Sequence, residues 1–265
     1  RDNLFVQTPE SFGGRFNVDV RVEQEVIAID AAAKKVTVRR KNGEAYVETY
    51  DKLLLSPGST PVRPPLPGID SEGIFTMRNV EDTDRIKAYV TEHTVKQAIV
   101  VGGGFIGLEM AENLREIGAA VSLVEMSDQV MAPVDYSMAQ YVHNHLSDKG
   151  VRLFLGKGVT GFERKGDGIE VSLNSGETLR ADLVILSIGV RPETKLAEQA
   201  GCAIGRGIKV NEYLETSQKD IYAVGDAIEY PHPLTGEPWL NYLAGPANRQ
   251  GRLVADNMVK GNVAS

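Results

Sequence analysis

The residues best suited to chemistry stand in one run, Ala98-Ile-Val-Val-Gly-Gly-Gly-Phe-Ile-Gly-Leu-Glu-Met-Ala-Glu-Asn-Leu114. The run has the pattern of a short apolar strand, a glycine turn and a helix. Within it, Gly102-x-Gly104-x-x-Gly107 has the spacing of a dinucleotide-binding turn. Gly102 permits the sharp exit from the strand, and Gly103 lies inside the turn. Gly104, lacking a side chain, lets the backbone approach a pyrophosphate, and Gly107 lets the helix sit close to the strand. The helix N-terminus offers phosphates unpaired N–H groups and a partial positive charge. The next apolar run, Ala120-Val-Ser-Leu-Val124, is followed by Glu125, where a carboxylate can accept hydrogen bonds from a ribose. A 2′-phosphate at that place would be repelled by Glu125, and no arginine follows closely, which favours NADH over NADPH. The plain alternative is a structural βαβ unit whose glycines serve packing alone.

The elements that must hold these residues follow from pattern. Thr8-Pro9 starts a helix. Strand signals fill Val18 to Leu55: Val18–Val22 and Val26–Asp30, then Lys35–Arg39, an Asn42-Gly43 hairpin turn, and a return over Ala45–Tyr50. Lys52–Ser56 is a short buried strand that stops at Pro57-Gly58, and a proline-rich connector runs from Pro61 to Gly68. Asn79 caps a helix reaching about His93. Beyond the glycine turn, a helix covers Tyr136 to Lys149, followed by a strand at Val151–Leu155 and two antiparallel strands at Val159–Arg164 and Ile169–Leu173. Ala181 to Gly189 reads as one apolar strand of the parallel-sheet type. A short helix at Pro192–Ala200 precedes strands at Ile208–Val210 and Ile221–Asp226, and an amphipathic helix occupies Gly245–Lys260.

Bulk properties narrow the function classes. The 265 residues fit one large or two ordinary domains, and a net charge of −7 argues against nucleic acid or an anionic membrane as the main partner. No apolar run is long enough to span a bilayer and no signal peptide is visible. A lone cysteine, Cys202, excludes an internal disulfide and suits a reducing, cytoplasmic setting. His143 and His145, two apart on a helix, point to different faces; they are expected at the surface, with no metal site.

Two segments echo one another. Tyr50-Asp-Lys-Leu-Leu-Leu-Ser-Pro-Gly58 and Ala181-Asp-Leu-Val-Ile-Leu-Ser-Ile-Gly189 each carry an acid, a strand and Ser-x-Gly. Taken alone, they could be ordinary sheet strands ending in turn glycines. In Thr216-Ser-Gln-Lys-Asp-Ile-Tyr-Ala-Val-Gly-Asp226, Asp226 at a strand end can accept a hydrogen bond from a ribityl hydroxyl, and Gly225 leaves room for that chain. This last segment matches the flavin signature of the two-dinucleotide flavoprotein reductases. Together the segments make the chain resemble, over nearly its whole length, the pyridine nucleotide–disulfide oxidoreductase superfamily. Val100-Val-Gly-Gly-Gly-Phe-Ile-Gly-Leu-Glu-Met110, Ser187-Ile-Gly-Val-Arg-Pro-Glu-Thr194 and Leu243-Ala-Gly-Pro-Ala-Asn-Arg-Gln-Gly-Arg252 resemble the branch of CoA-disulfide reductases, NADH-dependent persulfide reductases, NADH oxidases and NADH peroxidases. Thr8-Pro-Glu-Ser-Phe12, Glu25-Val-Ile-Ala-Ile-Asp30 and the segment ending in Gly58 favour the CoA-disulfide or persulfide reductases.

The resemblance implies an α/β fold: a Rossmann-like NAD domain with a parallel sheet and a β-meander, inserted in a partial FAD domain. The expected segments are 1–94 and 214–265 for FAD and 95–213 for NADH. It implies that Gly102, Gly104, Ile106 and Gly107 contact the NADH pyrophosphate region, with Glu125 on the adenosine ribose. Phe105 would cover the flavin until nicotinamide arrives; the alternative is an aromatic that packs on a neighbour. Glu109 would approach the nicotinamide carboxamide, or merely suit the helix dipole in a first turn. Gly189 would line the nicotinamide site. Val26, Ser56, Pro57, Gly58, Arg78 and Asp226 would hold FAD beside Gly225, and Leu243 and Ala244 would face the flavin pyrimidine edge.

Departures from the family pattern shape the rest. No glycine-rich βαβ unit for the FAD pyrophosphate and no redox cysteine after it occur in the sequence, and Cys202 reads as a packed thiol. A dimerisation domain after the last helix is likewise not seen. The expectation is an internal piece of a longer, homodimeric flavoenzyme that passes hydride from NADH to FAD and on to a CoA disulfide or persulfide. On its own that piece would be inactive and hold FAD weakly. The rivals are an NADH oxidase or peroxidase of the same fold and a non-catalytic NADH-binding module.

Overall fold

The computed structural model describes residues 6–263, which divide into two compact units: 6–59 with 192–263, and Thr60–Arg191 inserted between them. The division into compact units falls at 59/60 and 191/192, whereas the FAD and NADH segments implied by the resemblance meet at 94/95 and 213/214. The connector and the following helix join the inserted unit because a strand between them, unforeseen in the sequence, pairs into its sheet.

The outer unit opens on α1 (Pro9–Phe16). Thr8 and Ser11 exchange side-chain-to-backbone bonds in a capping box, and Pro9 takes the first helical position, where its missing N–H costs nothing. The expected strand at Val18–Val22 does not form. Those residues are irregular, with Val18, Val20 and Val22 exposed. Alternation alone fails there because no neighbouring strand offers them a ladder; Arg21 instead pairs with Asp19 and Glu48. β1 (Gln24–Asp30), β2 (Lys35–Arg40) and β3 (Ala45–Thr49) form the antiparallel sheet that the hairpin signal called for, with a register shift between Val26 and Ala28. β4 (Leu53–Leu55) and then β5 (Ser59–Pro61) follow.

The inserted unit contains β6 (Ile74–Thr76), α2 (Val80–His93), β7 (Gln97–Val101), α3 (Phe105–Glu116), β8 (Ala120–Val124), α4 (Tyr136–Asp148) and β9 (Arg152–Phe154). A meander of β10 (Val159–Lys165), β11 (Gly168–Leu173) and β12 (Thr178–Ala181) leads to β13 (Leu183–Leu186) and β14 (Val190–Pro192), which pairs with β5. The five-stranded sheet has the order β6-β13-β7-β8-β9. Its register is parallel throughout, with Val100 opposite Ile185 and Leu123. Successive strand residues face opposite sides. Val100, Leu123 and Ile185 pack into a cluster with Ala111 and Leu114 of α3, while Ile99, Val124 and Val184 pack with Phe162 and Ile169 of the meander. Covering on both faces explains the unbroken apolar strands.

Ala181–Gly189 is not one strand. It breaks at Asp182, whose carboxylate accepts the N–H groups of Lys96 and Gln97, both at 2.8 Å. The acid that precedes the apolar run thus ends the meander and pins the start of β7. His143 is also corrected: it is buried in α4, with its Nε2 accepting the Val130 N–H at 3.1 Å, whereas His145 is exposed.

The chain returns to the outer unit through α5 (Lys195–Gln199), β15 (Ile208–Lys209), β16 (Ile221–Ala223), a 3₁₀ turn at Gly225–Ala227, β17 (Ile228–Pro231), β18 (Pro238–Trp239) and α6 (Ala244–Lys260). β16 lies parallel to β4, with Ile221 opposite Leu53. Ile29, Val36 and Leu55 from the first segment share one core with Ile208, Ile221, Ile228 and Val254 from the second.

Candidate functional site

In the inserted unit, β8 and β9 step away from β7 on one side while β13 lies on the other. The connections leave in opposite directions between β7 and β13, and an open α/β sheet forms its ligand crevice at the carboxyl ends of two such strands. The glycine turn leaves β7 at this place. Gly102 has φ +105°, in the left-handed region, and a Cβ on it would stand 2.3 Å from the Ser187 carbonyl oxygen. A Cβ on Gly107 would stand 1.9 Å from the Gly102 carbonyl oxygen, so α3 can approach the strand end only as glycine. Gly104 differs. It is the N-cap of α3 with no side-chain cap, and a Cβ there would meet nothing within 4 Å. The α-carbon face of Gly104 is therefore open, and no N-cap side chain bonds the first-turn N–H groups; a helix start of this kind can accept an anion.

Phe105 and Ile106 open α3 with 58% and 40% exposure, so Phe105 is not packed away on a neighbour. Glu109 is exposed and is the fifth residue of the helix, beyond the first turn where the dipole would favour an acid. Gly189, after β13, is exposed, and its carbonyl accepts the Val62 N–H at 3.0 Å.

Glu125 has a task that the sequence pattern did not disclose. Its Oε2 accepts the Gly103 N–H at 2.7 Å, and its Oε1 accepts the Ser127 N–H at 2.8 Å. The carboxylate thus stands at the end of β8, half-buried and bonded to the turn itself. Ser187 ties the other side: its hydroxyl lies 2.9 Å from the Val101 carbonyl and 3.1 Å from that of Gly102. Ser187 was not foreseen as a site residue, although the repeated Ser-x-Gly signal was visible.

The remaining candidates lie in the outer unit, with one exception. Because β4 and β16 are parallel, Leu55 opposite Ala223, their carboxyl ends bring Ser56, Pro57 and Gly58 beside Gly225 and Asp226. The Val224 N–H donates to the Leu55 carbonyl at 3.1 Å. Asp226 accepts the Ser59 hydroxyl at 3.0 Å, and the Gly225 N–H donates to Gln250 of α6 at 2.8 Å. α6 begins at Leu243, exposed, and Ala244, again with no side-chain cap. Val26 sits in β1 at the register shift. Arg78 is the exception: it belongs to the inserted unit, between β6 and α2, where its backbone N–H donates to Asp82 at 2.8 Å. Cys202 is buried with its Sγ 3.5 Å from the Thr216 hydroxyl, and burial pushes its thiol pKa up. Among the described residues no group of three potential metal ligands comes together, and no helix is long and apolar enough to cross a membrane.

The family model of pyridine nucleotide-disulphide oxidoreductases matches residues 8–245. An NADH oxidase of Methanocaldococcus jannaschii is 38% identical over 97% of this chain and 58% of its own length. The reduced CoADR-RHD protein of Bacillus anthracis superimposes with a TM-score of 0.95 at 49% identity, covering 100% of this chain and 48% of that one. A NAD-dependent persulfide reductase from A. fulgidus superimposes at 0.91 with 35% identity, covering 98% and 48%. The chain thus spans roughly half the length of the proteins it matches.

Proposed function

The chain belongs to the pyridine nucleotide-disulphide oxidoreductase family, and we propose that it carries the NADH site and part of the FAD site of a reductase acting on a CoA disulfide or persulfide. Its α/β fold is that of the two-dinucleotide flavoproteins, with a Rossmann-like parallel sheet and a β-meander inserted in the second dinucleotide unit. The observation that carries the NADH assignment is the open cradle at Gly104, placed at the crevice of the parallel sheet with Glu125 beside it.

In this reading the N–H groups of Ile106 and Gly107 at the α3 N-terminus hold the pyrophosphate, Gly104 lets it approach, and Gly102 and Gly103, whose own N–H groups bond Val124 and Glu125, shape the turn. Glu125 gives one carboxylate lone pair to the Gly103 N–H and offers others to the ribose hydroxyls, so that it disfavours a 2′-phosphate by charge. Gly189, Phe105 and Glu109 serve the nicotinamide end. Ser56, Pro57, Gly58, Gly225 and Asp226 serve the flavin, with Val26, Arg78, Leu243 and Ala244. The α6 N-terminus, uncapped by any side chain, supplies positive potential for charge on a reduced ring. The bound cofactors supply the hydride and electron transfer; the protein supplies orientation and exclusion of water.

Cys202 is not the redox thiol, because its environment disfavours the thiolate. In this reading the acceptor is reduced through a cysteine outside these residues, in a cytoplasmic enzyme, and the 265-residue chain alone does not complete turnover. The second reading, an NADH oxidase, is favoured by the archaeal relative. The test is the acceptor dependence of NADH oxidation by the full-length enzyme. A rate with CoA disulfide or CoA persulfide well above that with oxygen supports the proposal; oxidation driven by oxygen alone replaces it with the second reading.

A further inference from the structure

Gly103 is held from three directions within the inserted unit. Its N–H donates to Glu125 at 2.7 Å, and its carbonyl accepts the Met131 N–H at 2.8 Å. On its open α-carbon face lies Val130, fully buried, so close that a Cβ on Gly103 would fall 2.8 Å from its Cγ1. Val130 and Met131 belong to the irregular stretch between β8 and α4, and Met131 has φ +55°, a strained setting for a residue with a side chain. Such a stretch needs an anchor. The anchor is His143 of α4, whose Nε2 accepts the Val130 N–H in a buried bond of 3.1 Å. Since Nε2 accepts, Nδ1 carries the ring proton, and the Gln140 amide, 3.1 Å away, is its matched acceptor when turned oxygen-inward.

We infer that His143, which touches no ligand, is a positioning residue for dinucleotide binding. Through Val130 and Met131 it fixes the peptide of Gly103 in the orientation that the pyrophosphate requires. The inference rests on the NADH reading of the glycine turn and adds a residue on the far side of the loop. Losing the acceptor would leave the Val130 N–H buried and unpaired, and the loop would relieve that by shifting at Gly103.

The test compares three variants by NADH titration of the 265-residue chain and by melting temperature. His143→Leu removes the acceptor and should weaken NADH binding about tenfold, the effect of one orphaned buried N–H. His143→Gln places an amide oxygen where Nε2 stood and should restore binding to within about twofold. Leu146→Ala, in the same helix and buried, should lower the melting temperature while leaving NADH affinity unchanged. If His143→Leu binds as tightly as the unmodified chain, or Leu146→Ala weakens binding equally, the inference is overturned. If the unmodified chain takes up no NADH, the functional reading falls first and this one with it. Should His143→Leu fail to fold, hydrogen exchange on the unmodified chain decides. NADH should slow the Val130 and Gly103 amides together, and by more than the amides of β11. A Val130 amide indifferent to NADH while that of Gly103 slows would contradict the anchor.

Discussion

Two strands in parallel pairing, β4 and β13, end in the same Ser-x-Gly pattern and come to different structures. β13 runs into Ser187-Ile188-Gly189, and β4 runs into Ser56-Pro57-Gly58; both glycines are left-handed, at φ +104° and +73°. In the inserted unit the serine is knitted inward, its hydroxyl within hydrogen-bonding distance of the Val101 and Gly102 carbonyls. In the outer unit Ser56 is exposed, and the nearby carboxylate, Asp226, is reached by Ser59. The difference lies in the neighbours. β13 sits between β6 and β7 in a sheet of five, so its end meets a glycine turn; among the described residues β4 pairs only with β16, and the chain after it meets the 3₁₀ turn at Asp226. A Ser-x-Gly strand ending thus offers a backbone exit, and sheet topology decides whether the serine supports a neighbouring glycine turn or is left at the surface.

The comparison can be broken most severely at Gly102. Gly102→Val meets both a left-handed φ and the Ser187 carbonyl. It should cost about 3 kcal/mol or more and abolish NADH binding, measured by urea denaturation and nucleotide titration. Gly104→Ala sharpens the same point, because the site is open and not left-handed. Stability should change by under about 0.5 kcal/mol, while NADH binding weakens by about tenfold or more as the methyl meets the pyrophosphate. Equal affinity would place the nucleotide elsewhere. Next comes the serine pair: Ser187→Ala should cost about 1 kcal/mol, and Ser56→Ala less than about 0.5 kcal/mol, by denaturant midpoint at constant slope.

The smallest effect concerns the outer unit and acid. Lys34 donates to Asp220 at 2.6 Å, and this bond holds the Asp220 carboxyl below its ordinary range and the Lys34 ammonium above its own. A lowered folded pKa gives stability that is present above the unfolded value, about 3.9, and is lost as pH falls through the folded one. Lys34→Met should therefore be slightly less stable than the unmodified chain near neutral pH. The gap should close as pH falls through the lowered folded pKa of Asp220, where the carboxyl is protonated in both. A gap that persists there would assign the loss to packing.

Much of this molecule was legible in the sequence, for reasons tied to particular residues. The glycine spacing of residues 102–107 exposed the tight strand-to-helix turn because steric exclusion at Gly102 and Gly107 leaves no other residue type. Thr8 with Pro9, Asn79 with Asp82, and Asn42-Gly43 announced local structure that needs no distant partner. What was hidden depends on distant pairing. Val18–Val22 alternates like a strand yet finds no ladder, whereas Ile74–Thr76, with only three residues, becomes a strand because β13 lies beside it. Asp182 inside an apolar run, and His143 beneath the Gly103 loop, owe their roles to groups 85 and 13 residues away. No window of sequence contains both partners and their geometry. The same holds for Glu125. Its place at the strand end was readable, but its bond to the Gly103 N–H, which ties the strand end to the turn, was not.

The account turns on a nicotinamide dinucleotide whose adenosine ribose meets Glu125. The direct measurement is the ratio of NADH to NADPH dissociation constants for the unmodified chain and for Glu125→Gln, by calorimetric titration at fixed salt. The account predicts a preference for NADH of at least about tenfold that falls to near parity in the variant. Equal affinity for the two nucleotides in the unmodified chain, or a preference that survives the loss of the charge, would contradict it.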